Sequence, residues 1–148
     1  MARILGIDYG VRRIGAAVAD SELRIAMPWA TIDGRGEPAA DAQAVLDFVR
    51  AESIDEFVVG LPLNMSAAAG TDSAQTALTR RFAAELARLG GRPVHLHDER
   101  LSSFAADEAL DAAGVGGRRR RGLRDRIAAQ RILQGWLDQL PRCPPAGS

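Results

Sequence analysis

The sequence predicts an α/β fold in which a mixed five-stranded sheet is flanked by helices. Near the N-terminus, three apolar runs are separated by short connections, as in antiparallel hairpins. Helical and strand patterns then alternate, which favours further strands added in parallel through crossover helices. The 148 residues are 47% hydrophobic and 26% charged, the composition of a single globular domain.

The three N-terminal runs are predicted to be strands over residues 3–8, 13–20 and 24–32. The first run ends in Asp-Tyr-Gly, which is typical of a strand followed by a turn. Gly15 and the alanines of the second run allow close packing. Pro28 has no N–H to donate to a neighbouring strand, so the third strand is expected at an edge or at a bulge.

The remaining elements follow from apolar periodicity. Helices are predicted over residues 41–51, 72–89, 102–112 and 123–140, strands over 56–61 and 93–98, and an irregular loop over 113–122. One domain is therefore expected over residues 1–140. A flexible C-terminal tail is expected over residues 141–148, where Cys143 lies among prolines.

Charge and cysteine content indicate the compartment and the class of partner. Residues 1–112 carry 11 arginines and 17 acidic residues, a balance of −6, whereas residues 113–148 carry 8 arginines and 2 acidic residues, a balance of +6. Such asymmetry is typical of a surface that faces phosphate. A single cysteine, no signal peptide and no apolar run of about 20 residues predict a cytoplasmic protein without a membrane segment.

Three carboxylates occupy special positions in this pattern. Asp8 ends the first strand, Glu99 follows the fifth strand, and Asp125 falls in the first turn of the predicted last helix. On a helical wheel Asp125 shares the apolar face with Ala129 and Ile132. Burying an acid on the sheet-facing side of a helix is costly unless a positive group lies opposite.

Metal-dependent phosphodiester hydrolysis would explain such acids. Two cations about 4 Å apart can activate water and stabilise the leaving oxygen, and Mg²⁺ or Mn²⁺ prefers carboxylate oxygens. Each acid also has an ordinary structural explanation: Asp8 as a turn former, Asp125 as an acid at the positive end of a helix, and Asp98-Glu99-Arg100 as a solvated strand end. Sequence spacing alone leaves both explanations open.

Three motifs carry a family resemblance: residues 8–15 (DYGVRRIG), 60–65 (GLPLNM) and 98–103 (DERLSS). In this order and at this chain length they resemble the YqgF family. Its members are ribonuclease-H-like proteins described as pre-16S ribosomal RNA nucleases and as Holliday junction resolvases. The resemblance runs from Ile4 to about Leu140, and it implies a ribonuclease-H-like fold with the element order predicted above.

The resemblance also implies the roles of the acids. Asp8, Glu99 and Asp125 would be the catalytic residues and the ligands of Mg²⁺ or Mn²⁺. Asp98 is an alternative to its neighbour Glu99, which is preferred because its longer side chain reaches further from a strand end. Residues 66–71 (SAAAGT) depart from the family, which usually has an acidic or amide residue followed by Gly in this loop.

Other polar residues are candidates for substrate binding. The run Arg118, Arg119, Arg120 and Arg121 is flanked by glycines, and arginine binds phosphate bidentately. The run is interpreted either as a phosphate clamp or as a solvated charged segment. Asn64 and Arg100 are further candidates, with a turn former and a partner for an acid as the alternatives. His95 and His97 lack a third nitrogen or sulfur ligand and are interpreted as packing or surface residues.

The sequence leaves four candidate functions for this chain. The first is a nuclease acting on structured RNA, implied by the family to mature the 5′ end of the 16S rRNA precursor, with a pre-ribosomal particle as a partner. The second is a Holliday junction resolvase, which would cut branched DNA as a homodimer. Residues 4–10 (ILGIDYG) also resemble the phosphate-contacting hairpin of actin-like ATPases, which need a second domain. The fourth is a non-catalytic RNA-binding factor.

Overall fold

The computed structural model describes residues 2–62, 73–98 and 117–141. Within them a five-stranded sheet carries helices on both faces, which confirms the predicted fold class. The strands are β1 (Arg3–Asp8), β2 (Arg13–Asp20), β3 (Met27–Asp33), β4 (Glu56–Leu61) and β5 (Val94–Asp98), and the helices are α1 (Pro38–Phe48), α2 (Ala74–Gly90) and α3 (Gly117–Gln139).

The strand order across the sheet is β3-β2-β1-β4-β5. The first three strands are antiparallel neighbours, whereas β4 and β5 are added in parallel on the other side of β1. Pro28 lies in the edge strand β3, and the β2–β3 register shifts between Ala16 and Ala17, opposite this proline. Both structural roles predicted for Pro28 are therefore present.

The two faces of the sheet bury different sets of side chains because successive residues of a strand point to opposite sides. Leu5 and Ile7 of β1 pack with residues of α1 and α2, including Phe82. Ile4 of β1 and Val58 of β4 pack against α3. We call these the α1/α2 face and the α3 face.

Three predicted boundaries were wrong by three residues: the start of β3 and both ends of α1, which ends at Phe48 rather than at residue 51. β3 begins at Met27 rather than at residue 24, because Arg24 has a left-handed backbone (φ 56°) and the side chain of Gln134 binds Ala26 N–H. α1 begins at Pro38 rather than at residue 41. Its N-terminus is capped by the Glu37 side chain, which accepts a hydrogen bond from Ala40 N–H.

The last helix is longer than predicted. α3 begins at Gly117, so the irregular loop predicted up to residue 122 was wrong over residues 117–122. Arginine is a good helix former, which lets the arginine run continue the helix despite Gly122. Asp125 consequently lies in the third turn, where the positive charge of a helix N-terminus no longer explains it.

Some predictions concern residues that the structure does not describe. The helix predicted over residues 102–112 falls outside the described residues, and the domain limit at residue 140 with its flexible tail stays a prediction. In the ranges that the structure describes, no helix combines the length and the apolar character required to cross a bilayer.

Candidate active site

The site is built on a row of residues that runs across three strands. Asp8, the last residue of β1, lies directly opposite Gly15 of β2, and Gly15 lies opposite Thr31 of β3. Opposite residues of antiparallel strands project to the same side of the sheet. This is the α3 face, because α3 lies against Gly15. The Asp8 side chain therefore projects towards α3.

Gly15 allows Asp125 to lie beside this row of residues. A Cβ atom at Gly15 would lie 2.0 Å from the carbonyl oxygen of Asp125, so the helix backbone rests directly on the strand. Only glycine permits this approach. Asp8 and Gly15 are cross-strand neighbours, with Cα atoms about 4.5–5.5 Å apart in such pairs. The structure therefore brings Asp8 and Asp125 to one place on the α3 face.

Arg13 supplies the positive group that a sheet-facing acid requires. Its Nε donates a 2.8 Å hydrogen bond to Oδ2 of Asp125. The side chain of Asp125 is only 15% exposed, whereas that of Arg13 is 41% exposed. Arg13 lies two residues before Gly15 and hence on the same face of β2. The sequence argument missed Arg13, although its position relative to Gly15 was a usable signal.

The first turns of α3 are attached to the edge strand. The Thr31 hydroxyl donates a 2.9 Å hydrogen bond to the carbonyl oxygen of Gly122, which also accepts a 3.2 Å bond from Arg126 Nε. The arginine run 118–121 falls within these turns, shortly before Asp125 along the helix. Arg121 is exposed, and nothing is described of the three preceding side chains.

Tyr9 fixes the backbone after Asp8 from the opposite face of the sheet. Its hydroxyl donates a 2.6 Å hydrogen bond to the fully buried Asp41, and its ring stacks on Phe82 with centroids 4.2 Å apart. Burial and this hydrogen bond raise the pKa of Tyr9, so the phenol remains a neutral donor. The amide of Gln75 donates to the Tyr9 carbonyl oxygen at 3.2 Å. Side chains of both α1 and α2 therefore hold the end of β1.

The end of β5 carries the two alternative acids, of which the structure describes Asp98 alone. Asp98 lies opposite the buried Leu61, and strand alternation places it on the α1/α2 face together with Val94. Across the described ranges no three acidic, histidine or cysteine side chains are grouped to hold a metal ion, so Asp8, Asp98 and Asp125 do not form such a group. Glu99, Arg100 and Asn64 lie outside the described residues.

The two histidines of β5 pack against α3. His95 stacks on Trp136 with centroids 4.9 Å apart, and its Nε2 lies 3.0 Å from Oε1 of Glu56. The His97 ring lies so close to Gly135 that a Cβ there would be 2.8 Å from its Nε2. Burial lowers the pKa of His97, an effect that the charge of Asp98 opposes. These contacts are those of packing residues.

Comparison with solved structures supports the assignment of the fold. T. thermophilus RuvC in complex with a Holliday junction substrate superposes with a TM-score of 0.53 at 14% identity, covering 93% of this chain and 94% of the other. Another Thermus thermophilus RuvC structure superposes with a TM-score of 0.51 at 15% identity, covering 91% of this chain and 93% of the other. The chain therefore has the ribonuclease-H-like fold, as the motifs implied.

Sequence comparison defines the family. Residues 2–139 match the RuvX family, described as "Holliday junction resolvase". A protein of Anaeromyxobacter dehalogenans strain 2CP-C named "Putative pre-16S rRNA nuclease" is 49% identical over 93% of this chain and 97% of its own length. A protein of the same name from Moorella thermoacetica is 43% identical, covering 93% and 96%. The chain belongs to the RuvX family, also called YqgF, which confirms the resemblance.

Proposed function

We propose that this protein is a nuclease that hydrolyses phosphodiester bonds with the help of divalent cations. Its substrate would be the precursor of 16S ribosomal RNA, which it would cut during maturation of the 5′ end. The RuvX family match and the names of the relatives support the nuclease activity and the rRNA substrate. A cytoplasmic location and contact with a pre-ribosomal particle belong to the same proposal.

The observation that carries this proposal is the approach of α3 to β2 at Gly15. It brings Asp125, which is distant in sequence, beside the strand end that carries Asp8. Two carboxylates on one face of a sheet repel each other, which raises their free energy unless cations are near. A fold that needs such a pair only for stability would be better served by apolar residues.

The donor set of this face fits Mg²⁺ or Mn²⁺. Both acids offer carboxylate oxygens, which these hard cations prefer over nitrogen or sulfur. Asp8, Glu99 and Asp125 would hold the cations. A cation bound there would supply Lewis-acid stabilisation of the charge that develops on a phosphodiester during hydrolysis. Glu99 is proposed rather than Asp98, because strand alternation turns Asp98 towards the α1/α2 face.

Positive side chains beside the acids would bind the substrate backbone. The arginine run 118–121 at the start of α3 is proposed as a phosphate clamp, since each guanidinium can donate two parallel hydrogen bonds to a phosphate. Arg100 and Asn64 would contact substrate from the loops after β5 and β4. These contacts would be sequence-independent, because phosphate contacts position a nucleic acid without reading its bases.

Cleavage assays on two substrates test the function. Precursor 16S rRNA and a four-way DNA junction would each be incubated with Mg²⁺ or Mn²⁺ and either the unmodified protein or Asp8→Asn. We expect RNA cleavage, reduced by at least about 100-fold in the variant, since even the supporting partners of metal ligands are worth 10–100-fold. Unchanged cleavage by Asp8→Asn would refute the assigned site.

A matched control lies at the other end of the same strand pair. Asp20 ends β2, and its Oδ1 accepts a hydrogen bond from Glu22 N–H at 2.7 Å, which an asparagine oxygen can also accept. Asp20→Asn removes one charge without touching the site. We expect this variant to cleave like the unmodified protein, so a comparable loss would mean that the assay reports net charge.

The family description favours a second candidate, resolution of Holliday junctions. Paired cuts in a symmetric junction require two coordinated active sites and hence a homodimer. This function predicts cleavage of the four-way junction and a dimer in analytical ultracentrifugation. A monomer that cleaves only the RNA would exclude it.

A further inference from the structure

The strongest unexplained feature is the ion pair between Arg13 and Asp125. A second ion pair in the same sheet provides a reference: Arg3 of β1 bonds Glu52 through Nη1 and Oε2 at 2.7 Å. The two arginines are similarly exposed, at 41% and 44%. The acids differ, because Asp125 is 15% exposed and Glu52 is 33% exposed. Each arginine also lies on the same face as a second carboxylate, Asp8 for Arg13 and Asp20 for Arg3, so the burial of the paired acid is what distinguishes the Arg13 pair.

This setting gives Arg13 an electrostatic task. Without a cation, a mostly buried Asp125 beside Asp8 is destabilised both by desolvation and by repulsion between like charges. The guanidinium offsets both effects, since it places a permanent positive charge 2.8 Å from Oδ2 of Asp125. A divalent cation bound by the two acids would offset the same effects.

The bond from Arg13 uses one of the two carboxylate oxygens of Asp125. Among the residues that the structure describes, hydrogen bonds to the Asp125 carboxylate involve Oδ2 only. Within these described residues, Oδ1 therefore keeps its lone pairs for another positive partner. The guanidinium of Arg13 makes this single bond through Nε, in place of the bidentate bond to both oxygens that its shape also allows.

We propose that Arg13 is a positioning residue that substitutes for the cation in the metal-free protein, holding Asp125 in place beside Asp8. The inference rests on the proposed metal site. It makes the contribution of Arg13 to stability depend on metal: large when metal is absent and smaller when metal is bound. An ordinary structural ion pair, such as Arg3–Glu52, contributes the same amount in both conditions.

Thermal unfolding with and without metal tests this dependence. Four proteins would be melted in EDTA and in saturating Mn²⁺: the unmodified chain, Arg13→Gln, Arg13→Lys and the matched control Arg3→Gln. In EDTA we expect Arg13→Gln to lower Tm by roughly 3–6 °C and Arg3→Gln by about 1 °C or less. Mn²⁺ should recover at least about half of the Arg13→Gln loss, because binding stabilises the folded state most where the charge is missing.

Arg13→Lys separates charge from shape and guards against a glutamine variant that does not fold. It retains the positive charge, so its Tm in EDTA should lie closer to that of the unmodified protein than to that of Arg13→Gln. A lysine variant as unstable as the glutamine variant would overturn the inference. So would an Arg13→Gln loss of equal size in EDTA and in Mn²⁺, because that is the behaviour of a metal-independent ion pair.

The unmodified protein distinguishes this inference from the proposed function. If Mn²⁺ raises its Tm and Asp8→Asn abolishes that rise, the metal site stands, and equal Arg13→Gln losses refute only the role of Arg13. If Mn²⁺ leaves the Tm of the unmodified protein unchanged and no nucleic acid is cleaved, the proposed function fails, and the role of Arg13 fails with it.

Discussion

The two faces of the sheet are packed in opposite ways. On the α1/α2 face, large side chains such as Phe57, Phe82 and Leu86 fill the space between the sheet and two helices. On the α3 face, glycines let a single helix approach the strands: a Cβ at Gly6 would lie 2.6 Å from Leu133 Cβ, and one at Gly15 would meet the Asp125 backbone. Large side chains lie between strands and helices on the first face, whereas on the second face glycines bring the backbone of α3 close to the strands.

With the active site proposed above, this difference separates the face that supplies stability from the face that carries the chemistry. Large apolar contacts supply most of the free energy of burial and tolerate small adjustments. The close approach of α3 is less adjustable, because backbone meets backbone, but it fixes Asp125 relative to Asp8. We therefore expect substitutions on the α1/α2 face to reduce stability and those near Gly15 to reduce both stability and metal binding.

The largest effect is expected for Gly15→Val. Its side chain would occupy the position of the Asp125 carbonyl group, so α3 must move. The free energy of unfolding should fall by more than the roughly 1–3 kcal/mol of ordinary overpacking, since the obstruction is backbone. Chemical denaturation and titration with Mn²⁺ would measure stability and metal affinity, and we expect both to drop.

Gly122→Ala is the matched control for that substitution. Gly122 lies within α3, and among the described residues a Cβ there would meet Arg126 Nη2 at 3.5 Å and Thr31 Oγ1 at 3.8 Å. These are ordinary contacts, and alanine is the better helix former. Gly122→Ala should keep or raise stability and leave Mn²⁺ affinity unchanged. A loss of metal binding in both variants would contradict the special role of Gly15.

Leu86→Ala tests the opposite face. Leu86 is fully buried among apolar side chains of the α1/α2 face, so its truncation should lower the free energy of unfolding by about 3 kcal/mol. The Mn²⁺ affinity of the folded protein should remain that of the unmodified chain, measured by titration at low temperature. A metal affinity that falls together with stability would mean that the two faces are not independent.

Tyr9→Phe tests whether the α1/α2 face helps to position Asp8. It deletes the hydroxyl that bonds the buried Asp41, which leaves a carboxylate short of one donor and should cost about 2 kcal/mol in unfolding free energy. Because Tyr9 follows Asp8 directly, Mn²⁺ affinity should also fall, by up to about 10-fold. Unchanged affinity would show that Asp8 is positioned from the α3 face alone.

The smallest effect is expected for Gln134→Leu. On α3, far from Asp125, Gln134 accepts a 2.9 Å bond from Ala26 N–H and donates a 3.0 Å bond to the Arg24 carbonyl oxygen. Losing these bonds to the segment before β3 should lower the free energy of unfolding by about 1 kcal/mol. Mn²⁺ affinity should not change. A clear decrease would show that metal binding depends on the whole length of α3.

The sequence predicted elements whose signals are local. β1, β2 and β4 were predicted with their observed bounds, since each is an apolar run closed by turn residues. The start of β3 was missed because Gln130 and Gln134, more than a hundred residues later, bind the backbone of Arg24 and Ala26. The start of α3 was missed because glycines around the arginine run indicated a loop.

The candidate site was likewise predicted from the sequence only in part. The positions of Asp8 and Asp125 left an ordinary structural explanation open for each, and the family resemblance implied their roles. Their convergence depends on the register Asp8–Gly15 and on the missing side chain of Gly15, which no spacing along the chain displays. The partner of Asp125 could have been sought among residues two positions from Gly15, which include Arg13.

The central claim is that Asp8 and Asp125 belong to one metal site. Isothermal titration with Mn²⁺ tests it in the unmodified protein, Asp8→Asn, Asp125→Asn and the control Asp20→Asn. We predict that each site variant weakens Mn²⁺ binding by at least about 10-fold while the control binds normally. Binding of unmodified strength by either Asp8→Asn or Asp125→Asn would contradict the shared site.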